Sequence, residues 1–494
     1  MVFNSFNFWL IFPFIFVMYW AIPAKYLWAR NGFLLIVSYL LYMNWKPAFA
    51  FALLGVTVVT FLGGVIVSGS NSSPSTSSGP GSNSSKRKTL CWCFAILGLL
   101  PLLIFKYYNF LNDSLTAGLE MCGLHFALPG LNWAIPVGIS FFTFQAVGYL
   151  LDVYHGRIKA EMNLLDYALF VSFFPQVTSG PISTAKDLIP QFKTAHSFRY
   201  EQGVEGLRML LWGMFLKCVV ADRLGLYVDT VYANYIHFSG LNCFLASVFY
   251  TIQIYGDFAG YSLMAIGIAK TLGFDLINNF NRPYFATSIT EFWKRWHISL
   301  TRWLTTHVYI NLGGNRCSKV RQYLNIMLTF LVSGLWHGAN WTFVIWGAIH
   351  GVLQVVEKVL GLDPKGKLNA NLQTSPNIQT IVIPIRIVVT FLLVSFAWIF
   401  FRMPTLADAW GVISQIFTDH TAQAILDKAK NKDILFMTIG ILSLLLVELR
   451  QEYLANKLRW LDSRWCKWVL YVIAFCMILC MGVLDAGSFI YVSF

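Results

Sequence analysis

The sequence predicts an all-α polytopic membrane protein, and three observations predict it. Charged residues make up only 12% of the 494 positions, 57% are hydrophobic, and apolar runs of bilayer-crossing length recur from end to end. A soluble domain usually carries about 25% charged residues, so a water-soluble fold of this composition would lack a surface. A hydrocarbon core about 30 Å thick takes roughly 20 apolar residues at 1.5 Å rise. Runs near 7–23, 31–45, 48–67, 90–105, 204–221, 242–270, 322–336, 341–359, 381–401, 434–448 and 468–485 answer to that length. About 11 transmembrane helices are expected.

The first run, Phe8 to Tyr19, has no basic leader and no small-residue cleavage site after it, so it reads as a retained span. The stretches 133–151 and 164–182 are apolar but broken by Pro136, Gly138, Pro175, Gly180 and Pro181. They are expected to span or to re-enter, since irregular backbone at membrane depth survives only where protein or water satisfies it.

A net charge of +13 could suggest nucleic acid, but the basic residues sit in short loops beside spans. Lys25 and Arg30 follow the first run, Lys86, Arg87 and Lys88 the third, and Arg157 and Lys159 the segment ending near Leu151. One topology, with the N-terminus extracytoplasmic, puts all three groups inside; the partner is a lipid bilayer, with no nucleic acid. The nine cysteines are scattered, and Cys91-Trp92-Cys93 lacks the two-residue spacing of a redox or zinc pair.

Residues 68–85 are a Ser/Gly/Pro-rich segment expected as a flexible cytoplasmic loop, and 361–380 form a second polar stretch. No repeat and no room for a soluble domain appear, so 1–494 reads as one membrane domain. The largest polar island is 271–321. On a helix through it, Phe292, Trp296, Leu300 and Trp303 fall on one side and Arg295 and Arg302 on another, which predicts an amphipathic interfacial helix.

Ionisable groups inside apolar spans are costly and are functional candidates by default. His337 stands in a stretch without Lys, Arg, Asp or Glu from Tyr323 to Val356. An imidazole with an ordinary pKa near 6.5 can take a proton from a hydroxyl and return it. Gly334 and Gly338 could admit a neighbouring backbone, and Ser333 and Asn340 could hold the second ring nitrogen. From spacing alone, catalysis and an interhelical packing histidine stand about even. His297 is the second candidate, with an interfacial polar residue as its alternative. Lys294, Arg295, Arg302, Arg316 and Lys319 cluster around it; they could attract a phosphorylated donor or touch lipid headgroups. Asp152 and Asp257 sit in apolar surroundings, and Asp257 could line a polar tunnel or pair with an Arg. No HExxH, GxSxG or Walker loop appears, and no metal site is expected.

Several stretches resemble the membrane-bound O-acyltransferase family, in its bacterial alginate O-acetyltransferase-like branch. They are Pro136–Gln145, Phe174–Ile182, Tyr255–Tyr261, Asn279–Tyr284, Phe292–Trp303, Gly334–Gly338 and Trp398–Arg402, within a motif-bearing core over about 130–403, with Phe489–Phe494 closing the chain. The resemblance implies a ring of tilted helices around a central tunnel, in the plasma (inner) membrane. It maps the family's invariant histidine onto His337 and its second motif histidine onto His297. It implies O-acyl transfer, most simply O-acetyl transfer, from a cytoplasmic thioester to a hydroxyl of an exported or envelope polysaccharide, directly or through a secreted SGNH-type acetyltransferase. No cofactor is bound; acetyl-coenzyme A or another acyl thioester is the donor. Lys294, Arg295, Trp296 and Arg302 are the expected donor-binding residues, and Asp257, Ser333, Trp336 and Asn340 the tunnel lining. D-alanyl transfer to an envelope polymer is the sister alternative. A small-solute transporter is the rival from another class, since broken helices and an embedded histidine also suit one.

Overall fold

The computed structural model describes residues 3, 5–69, 82–125, 128–366, 368, 376–421, 431–484 and 490. Among them the chain is helical with no strand. The helices are α1 (Phe6–Ala21), α2 (Leu27–Met43), α3 (Phe49–Gly69), α4 (Ser82–Leu102), α5 (Tyr108–Met121), α6 (Ile139–Tyr154), α7 (Leu164–Ser172), α8 (Ala185–Phe192), α9 (Tyr200–Phe215) and α10 (Asp222–Ala233). They continue as α11 (Gly240–Thr271), α12 (Ile289–Arg295), α13 (Ile298–Leu304), α14 (Lys319–His337), α15 (Trp341–Leu360), α16 (Pro376–Arg402), α17 (Leu406–Thr418), α18 (Asn431–Leu449) and α19 (Arg464–Met481).

Among the described residues each expected apolar run is helical over most of its length, and five helical stretches are long and apolar enough to cross a membrane: Phe49–Gly69, Ser85–Met121, Trp341–Leu360, Thr380–Arg402 and Arg464–Met481. On α16, Ile381, Ile385 and Val388 are exposed while Val394, Ala397, Trp398 and Phe401 are buried, the pattern of a helix packed on one side and solvated by lipid on the other. The protein is a multi-pass membrane protein.

Part of the loop expected over 68–85 is helix: 68–69 close α3 and 82–85 open α4, the helix running on into its polar flank. Residues 70–81 lie outside the described residues, as do 367 and 369–375 of the second polar stretch and all but Ile490 of the closing motif.

The chain divides into two compact units, Met1–Leu207 with Ala265–Ile277, and Arg208–Met264 with Asn278–Phe494. In the first, α6 is buried along nearly its whole length. Its N-cap, Gly138, has φ +73, and a Cβ there would lie 2.3 Å from the Val177 carbonyl. Only glycine allows both that backbone and that approach, which seats the irregular 173–184 segment against α6. Tyr167 donates to Thr60 Oγ1 at 2.7 Å, and Asn31 Nδ2 donates to Asp166 at 2.8 Å, so the polar groups of α2, α3 and α7 satisfy one another away from lipid.

In the second unit α14 and α15 form an antiparallel pair. A Cβ on Gly334 would meet the Phe343 carbonyl at 2.3 Å, and one on Gly347 the Phe330 carbonyl at 2.3 Å. Small residues here let the two backbones touch. The single amphipathic helix expected through 292–303 is instead two short helices, α12 and α13, broken at Trp296 and His297. His297 sits at φ 43, ψ 55, a left-handed conformation that no continuous helix contains.

Candidate active site

His337 is the last residue of α14. Gly338 leaves in extended conformation, and Asn340 caps α15, accepting from the Thr342 amide at 3.0 Å and donating to the Pro404 carbonyl at 2.8 Å. Asn340 thus fixes the turn that follows the histidine. The imidazole is 2% exposed and stands in a cage of rings. Trp336 and Trp346 lie at 4.9 Å between centroids, Phe401 of α16 at 5.2 Å, and His297 at 6.4 Å. Sequence spacing placed Phe292, Trp296, Leu300 and Trp303 on one helix face; the break instead turns the His297 ring inward, fully buried, edge-on to Phe258 of α11 at 4.7 Å and to Trp336 at 5.7 Å.

Two buried imidazoles with centroids 6.4 Å apart are close enough to act on one reacting group. Burial pushes the His297 imidazole down from 6.5 to about 3, so it is neutral in the folded protein, whereas the unfolded chain takes up this proton below about pH 6.5. The unfolded state then binds more protons, and stability falls as pH drops through that window. The apparent melting temperature of the purified protein should decline from about pH 7 to about pH 5. His297→Asn should flatten the decline; an unchanged slope would mean that His297 titrates normally.

The expected donor-binding residues separate. Lys294 lines a cavity of about 280 Å³ together with Trp293, Leu300, Phe330, Ser333 and Lys358. Arg295 is held between Glu291 at 2.7 Å and Glu452 at 2.9 Å. Burial pushes the Glu291 carboxyl up, but hydrogen bonds from Thr287 and the Arg295 guanidinium outweigh it and hold the group below the usual range. Trp296 is fully buried against Trp398 at 5.1 Å. Arg302 lies on α13, past the break.

The tunnel-lining candidates separate too. Ser333 lines the cavity one turn before His337 and is 2% exposed, and Trp336 touches both histidine rings. Asp257 belongs to an ion triad: Lys217 stands 2.6 Å from it and 2.8 Å from Asp222, and Asp257 also accepts the Ile490 amide at 2.8 Å. Its partner is a lysine where an arginine was the expectation. Asp152 pairs with Arg157 at 3.0 Å.

Sequence reasoning passed over His350. It is fully buried in α15, its Nδ1 accepts from Trp293 Nε1 at 3.3 Å, and it packs on Trp346 at 5.0 Å. The signal was present, since His350 lies in the same charge-free stretch that singled out His337.

Residues 157–399 match the model of the MBOAT, membrane-bound O-acyltransferase family, and the interval contains both histidines. The chain is 36% identical over 446 residues to a probable alginate O-acetylase of Pseudomonas aeruginosa, covering 90% of this chain and 80% of that one. It is 36% identical to a peptidoglycan O-acetyltransferase of Helicobacter pylori, over 64% of this chain and 63% of the relative. It is 26% identical to a teichoic acid D-alanyltransferase of Bacillus subtilis, over 53% and 66%. The chain belongs to the membrane-bound O-acyltransferase family and is an acyltransferase.

Proposed function

We propose that the protein moves an acetyl group from acetyl-coenzyme A, on the cytoplasmic side, to a hydroxyl of an exported or envelope polysaccharide, directly or through a secreted SGNH-type acetyltransferase. The observation that carries the reading is the pair of buried imidazoles, His337 and His297, with ring centroids 6.4 Å apart. His337 is the general base on the acceptor hydroxyl, and His297 positions or polarises the thioester carbonyl. The enclosing Trp336, Trp346 and Phe401 keep water from the thioester. Lys294, with Lys358 beside it in the same cavity, suits the phosphorylated end of the donor. Ser333 and Trp336 line the approach to His337. Arg295 supports the donor site by shaping α12, and Arg302 stands on the α13 side of it.

The proposed setting is a bacterial plasma membrane, with about 11 spans, re-entrant segments near 133–151 and 164–182, a central tunnel and the N-terminus outside. An acetyl donor is favoured because the relatives named for O-acetyl transfer are 36% identical and the one named for D-alanyl transfer is 26% identical. The test is thiol release by purified protein offered acetyl-coenzyme A or a D-alanyl carrier thioester. Turnover with acetyl-coenzyme A is the expected result. Turnover with the D-alanyl thioester alone would move the protein to the sister chemistry, and solute movement across liposomes without thioester cleavage would sink the reading.

A further inference from the structure

His297 is one of only two non-glycine residues at positive φ among the described residues; the other, Arg282 at φ 45, lies in the loop that holds it. A strained backbone persists only where its surroundings over-determine it, and such strain clusters at functional sites. Here the surroundings are explicit. The Asn281 amide donates to the Arg295 carbonyl at 2.9 Å, and the Ile298 amide to the Asn279 carbonyl at 2.9 Å, so two backbone bonds bracket His297 from either side. The Asn279 side chain adds a third: its Oδ1 accepts from the Ser299 amide at 3.2 Å. Its Nδ2 donates to Ser262 Oγ at 3.3 Å. Asn279 is 1% exposed and Ser262 2% exposed. Ser262 stands one turn along α11 from Phe258, the ring that packs on the His297 imidazole.

From this geometry we infer that Asn279 is a positioning residue for His297, a buried clamp that ties the left-handed turn to α11 and so sets where the imidazole points. The inference rests on the acyl-transfer reading of the histidine pair. The amides of Ile298 and Ser299 open α13 and have no partner within that helix. Asn279 supplies both acceptors, one from its backbone and one from its side chain. An aspartate can keep the Oδ1 acceptor and take the Ser262 hydroxyl as donor; a leucine of similar volume can do neither.

The experiment is a double-mutant cycle on purified full-length protein, reading thiol release from acetyl-coenzyme A together with amide hydrogen exchange. Asn279→Leu is expected to lower kcat about 100-fold, the usual scale for a displaced catalytic group, with KM within about twofold. Asn279→Asp should recover most of the loss. In a His297→Ala background Asn279→Leu should change kcat by less than about twofold, because the group it positions is gone. A loss of the same factor in both backgrounds overturns the inference, as does wild-type kcat in Asn279→Leu. If Asn279→Leu does not fold, Ser262→Ala decides: a kcat loss confined to the His297-containing protein supports the clamp, and an equal loss or none in both overturns it. Absence of wild-type turnover would sink the donor reading alone. The clamp is then judged by exchange at Ser299, which should speed up in Asn279→Leu and not in Asn279→Asp; equal rates in all three overturn it.

Discussion

Replacing His337 by alanine is expected to lower turnover by about 10³-fold, within the range that one positioned general base supplies. The rings packed on it at 4.9–5.2 Å are Trp336, Trp346 and Phe401, none of which accepts a proton near neutral pH. His297, centred 6.4 Å away, is held by the backbone bonds that bracket its turn and cannot stand in without moving. His337→Gln should fail as badly as alanine, since an amide keeps polarity and volume but takes no proton. Elution as a single peak in detergent checks that the variants fold. Activity within about twofold of wild type in a folded His337→Ala protein would remove His337 from the chemistry while leaving the family assignment intact.

The second large effect falls on stability. Lys217 lies in a π-helical turn, Leu216–Ala221, whose extra residue turns the lysine inward toward Asp222 and Asp257. All three side chains are under 10% exposed. Lys217→Met leaves two buried carboxylates facing one another with no cation, a change that typically costs about 3–5 kcal/mol. Loss of most of the folded protein on extraction, or a large fall in melting temperature, is the expected readout. The triple variant Lys217→Met, Asp222→Leu, Asp257→Leu should recover much of the loss, because an apolar replacement of a buried ion group is often near neutral. Equal instability of the single and triple variants would mean that shape, not charge, is at stake.

Helix positions and His337 were legible because each depends on local composition. The apolar runs are 15 to 29 residues long, and a histidine in a charge-free stretch is visible without knowing what packs on it. The end of α14 was not read: Asn340 was expected to hold the second ring nitrogen of His337 or to line a tunnel, and it caps α15 instead. What was not legible rests on distant partners. Periodicity alone joined 292 to 303 in one helix, and the break at His297 is written in bonds to Asn279 and Asn281. Arg295 looked like a free cation because Glu452 lies 157 residues away. The partner of Asp257 is 40 residues earlier, inside a run read only as apolar. His350 was passed over because no motif drew attention to it, although the cost of burying an imidazole applies to it as much as to His337.

One measurement bears most directly on the acyl-transfer site: the position of the acyl carbonyl in a cryo-EM map of the protein with a coenzyme A analogue whose thioester sulfur is replaced by a methylene. The expected result is the carbonyl carbon against the His337 and His297 rings, with the phosphate end toward Lys294 and Lys358. An analogue bound with its carbonyl away from both rings, which stay in contact only with protein, would contradict the assignment of the chemistry to His337.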